Sequence, residues 1–232
     1  IQAILENLKV KYTHSGVLAS MKAMDKVVSK NIFLQNKILT PKYLKIKSQL
    51  SHMDFNKIKK KFKFPVVIKP LNEGSSLGVY ICNKKNFLKS LKKLKDYKEV
   101  LVEQYIPGRE IQAAILGNKK LGAIELKPRR QFYDYRAKYD SKANTSHIIP
   151  VNLSEKNFNN LMTIALKAHK AINCKGVTRS DFKFYKNKFY LLEINTQPGL
   201  TNLSLVPEIA QYNGMSFDTL IDWMIKDASK RR

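Results

Sequence analysis

The sequence has few cysteines and no long apolar run, and both absences exclude whole classes of protein. Its two cysteines, Cys82 and Cys174, are far apart and lack the spacing of metal ligands. This excludes a disulfide framework or a zinc finger and favours buried free thiols in a reducing compartment. No apolar run approaches the roughly 20 residues that cross a bilayer, and no signal peptide is visible. We therefore expect a cytoplasmic protein without a membrane partner.

Acidic residues are also scarce, since the 232 residues include 18 Asp and Glu against 43 Lys and Arg, for a net charge of +25. A charge of this size is typical of nucleic-acid binding. However, only seven of the basic residues are Arg, the side chain that suits bidentate recognition of bases and phosphates. The lysines are also spread over predicted helix faces without aromatic residues that would stack on bases. We therefore expect no nucleic-acid partner, and instead a field that attracts small anions such as nucleotides.

The residues that are present are those of a globular chain. Hydrophobic residues make up 44% of the sequence and aromatic residues 10%. The length fits one large or two smaller domains. Apolar periodicity predicts helices over residues 1–10, 17–36, 53–61, 84–96, 157–172 and 217–225.

The densest group of polar side chains lies in a predicted β-hairpin. Alternating runs at 179–185 and 188–196 flank a polar triplet centred on Asn187. If the loop has an odd length, residues equally distant from Asn187 face each other across the two strands. The resulting pairs are Asp181 with Glu193 and Arg179 with Asn195. A loop of even length would instead place Asp181 opposite Leu192 and separate these groups.

The odd-loop register predicts a metal site. Two facing carboxylates would repel each other without a cation, so Asp181 and Glu193 suit a hard divalent ion such as Mg²⁺. Asn195 would add a neutral oxygen. The alternative is an amphipathic hairpin with solvated acidic residues, but a solvent-facing strand in this chain would carry mostly lysine. The side chains predicted to face the core are Phe182, Phe184, Leu192 and Ile194.

A second group of candidate residues follows the short apolar strand FPVVIKP. Lys69 is a lone lysine at the end of this buried strand and needs an anionic partner. The next residues, NEGSSLG, include Ser75 and supply donors that suit a phosphate. They do not form a Walker A loop, because GxxxxGK[ST] is absent. Upstream, Ser15 and Gly16 precede a helix N-terminus that could bind an anion, although capping by Ser15 is the preferred interpretation.

Two further segments stay open to more than one interpretation. Glu103, in the strand VLVEQY, would bind the edge of an adenine or would be solvated on an edge strand, and the sequence favours neither. Residues 132–150 are polar and aromatic without periodicity, and loops this long inside a domain are usually functional lids. Lys138 and Tyr139 are the candidate working side chains of this loop.

Several of these segments together resemble the D-alanine:D-alanine ligases of the ATP-grasp superfamily. The matching segments, in family order, are YTHSGVLASMKAMDK, FPVVIKPLNEGSSLGV, VEQYIPGREI, FYDYRAKY, GVTRSDF and LLEINTQPGLTNLSLVPEIA. The resemblance implies an α+β fold in which two lobes, built of mostly antiparallel sheets with flanking helices, clasp ATP. It implies a central lobe at 25–107, a carboxy-terminal catalytic lobe at 108–232 and the remnant of an amino-terminal substrate domain at 1–24.

The resemblance implies an ATP-dependent, ADP-forming ligase of peptidoglycan precursor synthesis. In this family, the carboxylate of one D-alanine is phosphorylated, and the amine of the second attacks the acyl phosphate. By position, Lys26 and Lys69 would hold the phosphates and Glu110 would bind the ribose. The other implied ATP contacts are Glu103, Gln104, Tyr105, Ile106, Phe132 and Lys138.

Metal-binding, catalytic and substrate-binding groups are implied as well. Asp181, Glu193 and Asn195 would ligate two Mg²⁺ or Mn²⁺ ions that bridge the phosphates. Electrostatic stabilisation of the oxyanion is the kind of effect that usually dominates catalysis in such sites. The other implied residues are Arg179 and Gly199 for the oxyanion, Ser75 and Tyr139 for the lid, and Ser204 and Leu205 for the carboxylate of the second D-alanine.

The chain departs from the family pattern in two ways. His14 stands where many members have Gly, and the amino-terminal domain that supplies a Glu and a His around the first D-alanine is expected to precede residue 1. The resemblance implies a homodimer for the full-length protein. The nearest alternatives are another ATP-grasp carboxylate–amine ligase and a D-alanine:D-lactate ligase. An alternative of a different class is a basic nucleic-acid-binding module with a two-metal nuclease hairpin.

Overall fold

The computed structural model describes residues 1–50, 52–127, 145–201 and 204–228. For residues 52–54, within the second of these ranges, it describes the backbone alone. Its helices are α1 (Gln2–Asn7), α2 (Val17–Met24), α3 (Lys26–Gln35), α4 (His52–Lys61), α5 (Phe87–Lys92), α6 (Glu155–Ile172), α7 (Leu205–Tyr212) and α8 (Phe217–Ala228). Its strands are β1 (Tyr43–Lys47), β2 (Val66–Pro70), β3 (Tyr80–Cys82), β4 (Glu99–Gln104), β5 (Arg109–Leu116), β6 (Lys119–Lys127), β7 (Ser146–Ile148), β8 (Val177–Tyr185) and β9 (Lys188–Asn195). Within these ranges, no helix combines the length and apolar character needed to cross a bilayer.

The first sheet has four antiparallel strands in the order β1-β4-β2-β3. One face packs on α4 and α5 through a core that includes Ile58, Phe87 and Val102. Because strand side chains alternate between faces, Lys69 on β2 and Glu103 on β4 lie on the opposite face. The first sheet therefore has an apolar face toward its helices and a face with buried charges on the other side.

The second sheet has five antiparallel strands in the order β7-β6-β5-β8-β9, and helices cover both of its faces. Phe182 and Ile111 on one face share a core with residues of α2, α3 and α6. Leu116 and Ile124 on the other face share a core with residues of α7 and α8. The chain passes from the first sheet to the second in the short connection between β4 and β5. Two antiparallel sheets with flanking helices confirm the predicted α+β class.

The predicted helix over 17–36 is divided into α2 and α3 at Asp25. Asp25 has extended backbone, with a ψ of 108°, and its carboxylate accepts hydrogen bonds from the backbone N–H groups of Val27 and Val28. This is an N-cap, which satisfies donors that the first helical turn leaves unpaired. The break makes Lys26 the first residue of α3 and fixes the direction in which it leaves the backbone.

Other predicted helices differ from the observed ones mainly at their ends. The helix predicted over 157–172 begins at Glu155, because the Ser154 hydroxyl accepts a hydrogen bond from the Asn157 N–H and caps it. The one predicted over 84–96 is only the six residues of α5. Helix α3 falls within the range predicted for the central lobe, yet it packs against α6 and β9, on the side of the second sheet.

Candidate functional site

The hairpin of β8 and β9 brings the predicted polar residues opposite one another, although its loop differs from the prediction. Its loop consists of two residues, Lys186 and Asn187, with φ values of 48° and 55°. Two consecutive positive φ values are typical of a type I′ turn. The odd loop length that we predicted is therefore wrong. The predicted pairs are nevertheless present, Asp181 opposite Glu193 and Arg179 opposite Asn195.

A β-bulge restores the register that an even loop alone would have lost. Phe182 pairs with Leu191, whereas its neighbour Asp181 pairs with Glu193, so Leu192 is the extra residue. Leu191 is fully buried in the core, and Leu192 lines the cleft described below. The prediction that Leu192 faces the core is wrong, because the bulge shifts the alternation of side chains by one residue.

Asp181 is 5% exposed and lies at the centre of the hairpin's polar group. The Arg179 guanidinium donates to both of its carboxylate oxygens, from Nε at 2.8 Å and from Nη2 at 3.0 Å. The Asn195 amide also donates to Asp181 Oδ2, at 3.3 Å. A bidentate guanidinium compensates the charge of a buried carboxylate. Three of the four predicted hairpin residues are thus in direct contact.

A cleft between the two sheets gathers most of the residues predicted to bind ATP. Its empty space is about 810 Å³, counting the open mouth. Leu77, Val79 and Leu192 give it apolar walls. The predicted residues that line it are Lys26, Lys69, Glu103, Gln104, Tyr105, Ile106, Glu110, Asp181 and Glu193.

Lys26 lies between the hairpin and the loop that follows β2. Its Nζ is 3.7 Å from Glu193 Oε2 and donates to the backbone carbonyl of Glu73. Burial lowers the pKa of Lys26, and the nearby Glu193 carboxylate opposes that shift. The contact places a cation between the hairpin carboxylates and the serine- and glycine-containing loop.

The face of the first sheet that is turned to the cleft holds a buried carboxylate between two lysines. Glu103 Oε1 is 2.6 Å from Lys69 Nζ, and Glu103 Oε2 is 3.0 Å from Lys30 Nζ. Burial alone would raise the pKa of Glu103, but the charges of Lys30 and Lys69 outweigh it and lower this pKa from 4.5 to about 2. Burial also lowers the pKa of Lys30 to about 8, against the opposing effect of Glu103. Of the two interpretations left open for Glu103, the solvated residue on an edge strand is therefore excluded, because Glu103 is 3% exposed.

The loop between β2 and β3 turns sharply beside Lys69. Ser75 and Ser76 have positive φ values of 51° and 60°, and Gly78 has one of 69°. At Gly78 an added Cβ would lie 3.0 Å from a Pro70 side-chain carbon, so the close approach to β2 favours glycine there. Residues on either side of Ser75 line the cleft, while Ser75 does not.

The residues predicted for the second substrate lie at the start of α7, and none of them lines the cleft. Ser204 is the N-cap of α7, and its backbone N–H donates to the Thr201 carbonyl at 2.8 Å. Its hydroxyl accepts from the Thr201 N–H at 2.9 Å. A Cβ added at Gly199 would lie 2.8 Å from Ser204 Oγ, so this turn leaves little room for a side chain. Gly199, Ser204 and Leu205 therefore form a group apart from the cleft.

The turn before α2 also differs from its prediction. Ser15 does not cap the helix, because Gly16 is the N-cap and the Ser15 hydroxyl exchanges hydrogen bonds of 3.1 Å with the backbone of Lys175. His14 is 5% exposed and has a φ of 70°. That left-handed conformation is the one that glycine adopts most readily, which accounts for the glycine that the resemblance led us to expect.

Three predicted residues, Phe132, Lys138 and Tyr139, lie outside the described residues. Lys30 is the main site residue that the sequence reasoning missed. It follows Lys26 by four positions, which places both side chains on one face of α3, and this spacing was the available signal. It was obscured because lysine is so frequent in this chain.

A second cavity lies away from the predicted residues, among α6, α8 and the connection between β5 and β6. Its empty space is about 1,030 Å³, and its lining includes His169, Cys174 and Trp223. Burial lowers the pKa of His169 to about 4 and raises the pKa of Cys174 to about 12. The thiol is therefore not a reactive thiolate near neutral pH. None of the residues predicted for ATP, metal or substrate lines this cavity.

The hairpin residues fit a hard divalent cation in the type of their donors. Asp181, Glu193 and Asn195 offer only oxygen ligands, which Mg²⁺ and Mn²⁺ accept. The set has two carboxylates and one amide, and no group of three His, Cys, Asp or Glu that could hold a metal occurs in the described part of the chain. A cation here would therefore need other oxygen donors, such as the phosphates of a bound nucleotide.

Three comparisons with known proteins agree with one another. A family model described as the D-ala D-ala ligase C-terminus matches residues 33–226. The D-alanine–D-alanine ligase of Pelagibacter ubique is 64% identical over 233 residues, which cover 100% of this chain and 77% of that protein. The crystal structure of D-alanine–D-alanine ligase from Bacillus anthracis complexed with ATP has a TM-score of 0.84 and 31% identity, and covers 98% of this chain and 74% of that one.

Proposed function

The chain belongs to the D-alanine–D-alanine ligase family, and we propose that the cleft between its two sheets is where this ligase binds ATP. Its function is the ATP-dependent ligation of two D-alanines, and its fold is the ATP-grasp fold. The observation that carries the proposal for the cleft is that its lining brings the lysines predicted for the phosphates together with the hairpin carboxylates, namely Lys26, Lys69, Asp181 and Glu193.

We assign the phosphates of ATP to the end of the cleft where Lys26 and Lys69 lie. The loop between β2 and β3 adds backbone donors to that end. The adenine then falls along the connection between the sheets, where Tyr105 and Ile106 follow the last paired residue of β4. Glu110 would reach the ribose from β5. A structural relative that was solved with ATP supports nucleotide binding by this fold.

The family uses a divalent metal with ATP, and we propose two Mg²⁺ or Mn²⁺ ions held by Asp181, Glu193 and Asn195. Such ions would neutralise charge on the phosphates. The chain's own contribution is to hold these three side chains in register across β8 and β9. Because the amide N–H of Asn195 donates to Asp181, its side-chain oxygen is the atom that would bind a cation.

The chemistry requires one phosphoryl transfer and one acyl transfer. A carboxylate oxygen of the first D-alanine forms a bond to the γ-phosphorus as the bond to ADP breaks. The amine of the second D-alanine then attacks the acyl carbon, and phosphate leaves. We propose that Arg179 and the Gly199 N–H stabilise the negative charge that develops on the acyl oxygen. Arg179 is held for this role by its two hydrogen bonds to Asp181.

The second D-alanine would bind with its carboxylate at the start of α7, where a helix N-terminus favours an anion. Since the Ser204 N–H already donates to Thr201, the Leu205 N–H is the stronger candidate donor. We also propose that Ser75 and Tyr139 belong to the lid of the site. We further propose that the two lobes span residues 25–107 and 108–232, and that the protein assembles as a homodimer.

The experiment is to measure phosphate release from ATP, and to identify the product, with D-alanine, with D-alanine together with D-lactate, or with DNA as the addition. We expect release with D-alanine together with formation of the dipeptide. Release with D-lactate and an ester product would support the depsipeptide alternative. ATP-independent cleavage of DNA without phosphate release would support the nuclease alternative and contradict the proposal.

A further inference from the structure

Lys30 is a fully buried lysine that neither the resemblance nor the proposed reaction assigns to a role. Its ammonium group lies 3.0 Å from Glu103 Oε2 and donates to the Thr40 hydroxyl at 2.7 Å. Its exposed fraction is 0%, and it does not line the cleft. A nucleotide in the cleft would therefore contact Lys69 and not Lys30.

The buried group around Glu103 has one carboxylate and two lysines, so its charges do not cancel. Glu103 carries one negative charge, and Lys30 and Lys69 each approach a different one of its oxygens. Breaking a buried ion pair is strongly unfavourable when it leaves a charge without a partner. With both lysines present, Lys69 can turn toward an anion in the cleft while Glu103 keeps Lys30 as its counter-ion. With one lysine alone, the same movement would leave Glu103 unpaired.

We propose that Lys30 is a positioning residue of the ATP site, which neutralises Glu103 and so leaves the charge of Lys69 available to the phosphates. This inference rests on the proposed function, because it takes the anion in the cleft to be ATP. Lys30 acts through Glu103 and does not touch the nucleotide. The Thr40 hydroxyl accepts a hydrogen bond from the Lys30 ammonium and so helps to hold it in place beside Glu103.

The test compares the affinities of ATP and adenosine, measured by calorimetry in the presence of Mg²⁺. Adenosine lacks phosphates, so the ratio of the two affinities reports on the phosphate contacts, whereas general damage to the cleft would weaken both ligands together. We expect Lys30→Met to lower the ratio of ATP affinity to adenosine affinity by at least tenfold. An unchanged ratio would overturn the inference.

The double variant Lys30→Met with Glu103→Gln makes the test specific to the counter-ion role. It removes one charge of each sign and leaves Lys69 without a carboxylate to satisfy, so the ratio should return to within about threefold of wild type. Replacing a buried ion pair by neutral groups is often tolerated, so this variant decides the matter even if Lys30→Met does not fold. A ratio that stays tenfold below wild type in the double variant would contradict the inference.

Lys45→Met is the matched control. Lys45, on β1, pairs at 3.0 Å with Glu99, which lies on β4 like Glu103, but this pair is more open to solvent and does not line the cleft. Its loss should leave the ratio unchanged, and an equal fall in both lysine variants would attribute the effect to overall charge and overturn the specific role. If wild type binds no ATP, the proposed function fails. If wild type binds ATP but Lys30→Met leaves the ratio of ATP affinity to adenosine affinity unchanged, only this inference fails.

Discussion

The carboxylate side chains of the cleft lie in different electrostatic environments. Glu103 is 3% exposed and lies between two lysines, while Asp181 is 5% exposed and is held by one arginine. Glu193 is more open and lies near Lys26 at the edge of the polar group. Glu103 is therefore suited to stay ionised beside its two lysines. Glu193 is suited to give up its contact with Lys26 and bind a different cation.

Because the pKa of Glu103 is low in the folded protein, the free energy of unfolding depends on pH in the acidic range. Its pKa is about 2 in the folded protein and near 4.5 when unfolded, so the unfolded chain binds more protons between these values. The stabilisation is fully present above pH 4.5 and is lost as the pH falls toward 2. At 1.36 kcal/mol per pKa unit, it amounts to about 3 kcal/mol.

We expect Glu103→Gln to lose this pH dependence, measured as the free energy of unfolding in urea at pH 5 and at pH 2. Wild type should lose about 3 kcal/mol more than the variant over that interval. Glu99→Gln, at an exposed pair on the same strand, is the control and should follow wild type. Parallel curves for wild type and Glu103→Gln would refute the ion-pair assignment.

Glu193→Gln should abolish phosphate release while ATP binding persists, because an amide cannot balance the charge of two divalent ions. Turnover and ATP affinity are measured over a range of Mg²⁺ concentrations. We expect turnover to fall by at least two orders of magnitude and ATP affinity by less than tenfold. Glu208→Gln, whose carboxylate contacts His147 away from the cleft, is the control. Turnover of Glu193→Gln at the wild-type rate would contradict the assignment of Glu193 as a metal ligand.

Strand alternation predicts that Arg179 shares a face with Asp181, and that Glu193 shares a face with Asn195. The pairing of Asp181 with Glu193 was predicted from an odd loop, and it is present only because of the bulge at Leu192. Lys30 could not be predicted with the same ease. Its burial depends on the fold bringing this side chain of α3 to Glu103 of the first sheet, which a local sequence pattern does not contain, and a lysine on a helix is usually solvated.

At the scale of elements, the bulge in β9 decides what the hairpin presents to the cleft. The two-residue turn sets the pairing of the residues nearest the loop, up to Phe182 with Leu191. The extra residue Leu192 then shifts the pairing by one position, so that Asp181 pairs with Glu193. The two neighbouring leucines consequently have different surroundings. Leu191 is fully buried in the core of the second sheet, and Leu192 lines the cleft.

Alanine substitutions at the two leucines should therefore have opposite effects. Leu191→Ala should destabilise the protein by about 2–5 kcal/mol, because it opens a cavity in the core, and leave the affinity of the folded protein for ATP near wild type. Leu192→Ala should cost less than about 1 kcal/mol of stability and lower ATP affinity severalfold by removing an apolar wall of the cleft. Unfolding in urea and calorimetry provide the two measurements. Equal effects of both substitutions on stability and affinity would mean that β9 has no bulge.

The elements could be predicted from apolar periodicity, whereas the bulge and the break at Asp25 could not. A bulge depends on the strain and twist of the paired strands, and nothing in the order of residues 188–196 distinguishes it from a regular strand. The capping role of Asp25 is visible only once the backbone is known to be extended there, because Asp is also found within helices.

At the scale of the whole molecule, a cleft lies between the two sheets. The connection from β4 to β5 joins the two sheets next to the proposed adenine site. The second cavity lies on another side, among residues of α6 and α8, and its empty space is larger. Size alone would favour the second cavity as a ligand site. The arrangement of charges favours the cleft, because five carboxylates line it together with lysines, whereas the lining of the second cavity has one carboxylate, Asp227.

The most direct measurement is the crystal structure of the protein with Mg²⁺ and a non-hydrolysable ATP analogue. We predict that the purine lies against Tyr105 and Ile106 and that phosphate oxygens lie within 4 Å of Lys26 and Lys69, the limit for an ion pair. The divalent ion should contact the hairpin carboxylates. Nucleotide bound in the cavity beside His169 and Trp223, with the cleft between the sheets unchanged, would contradict the account.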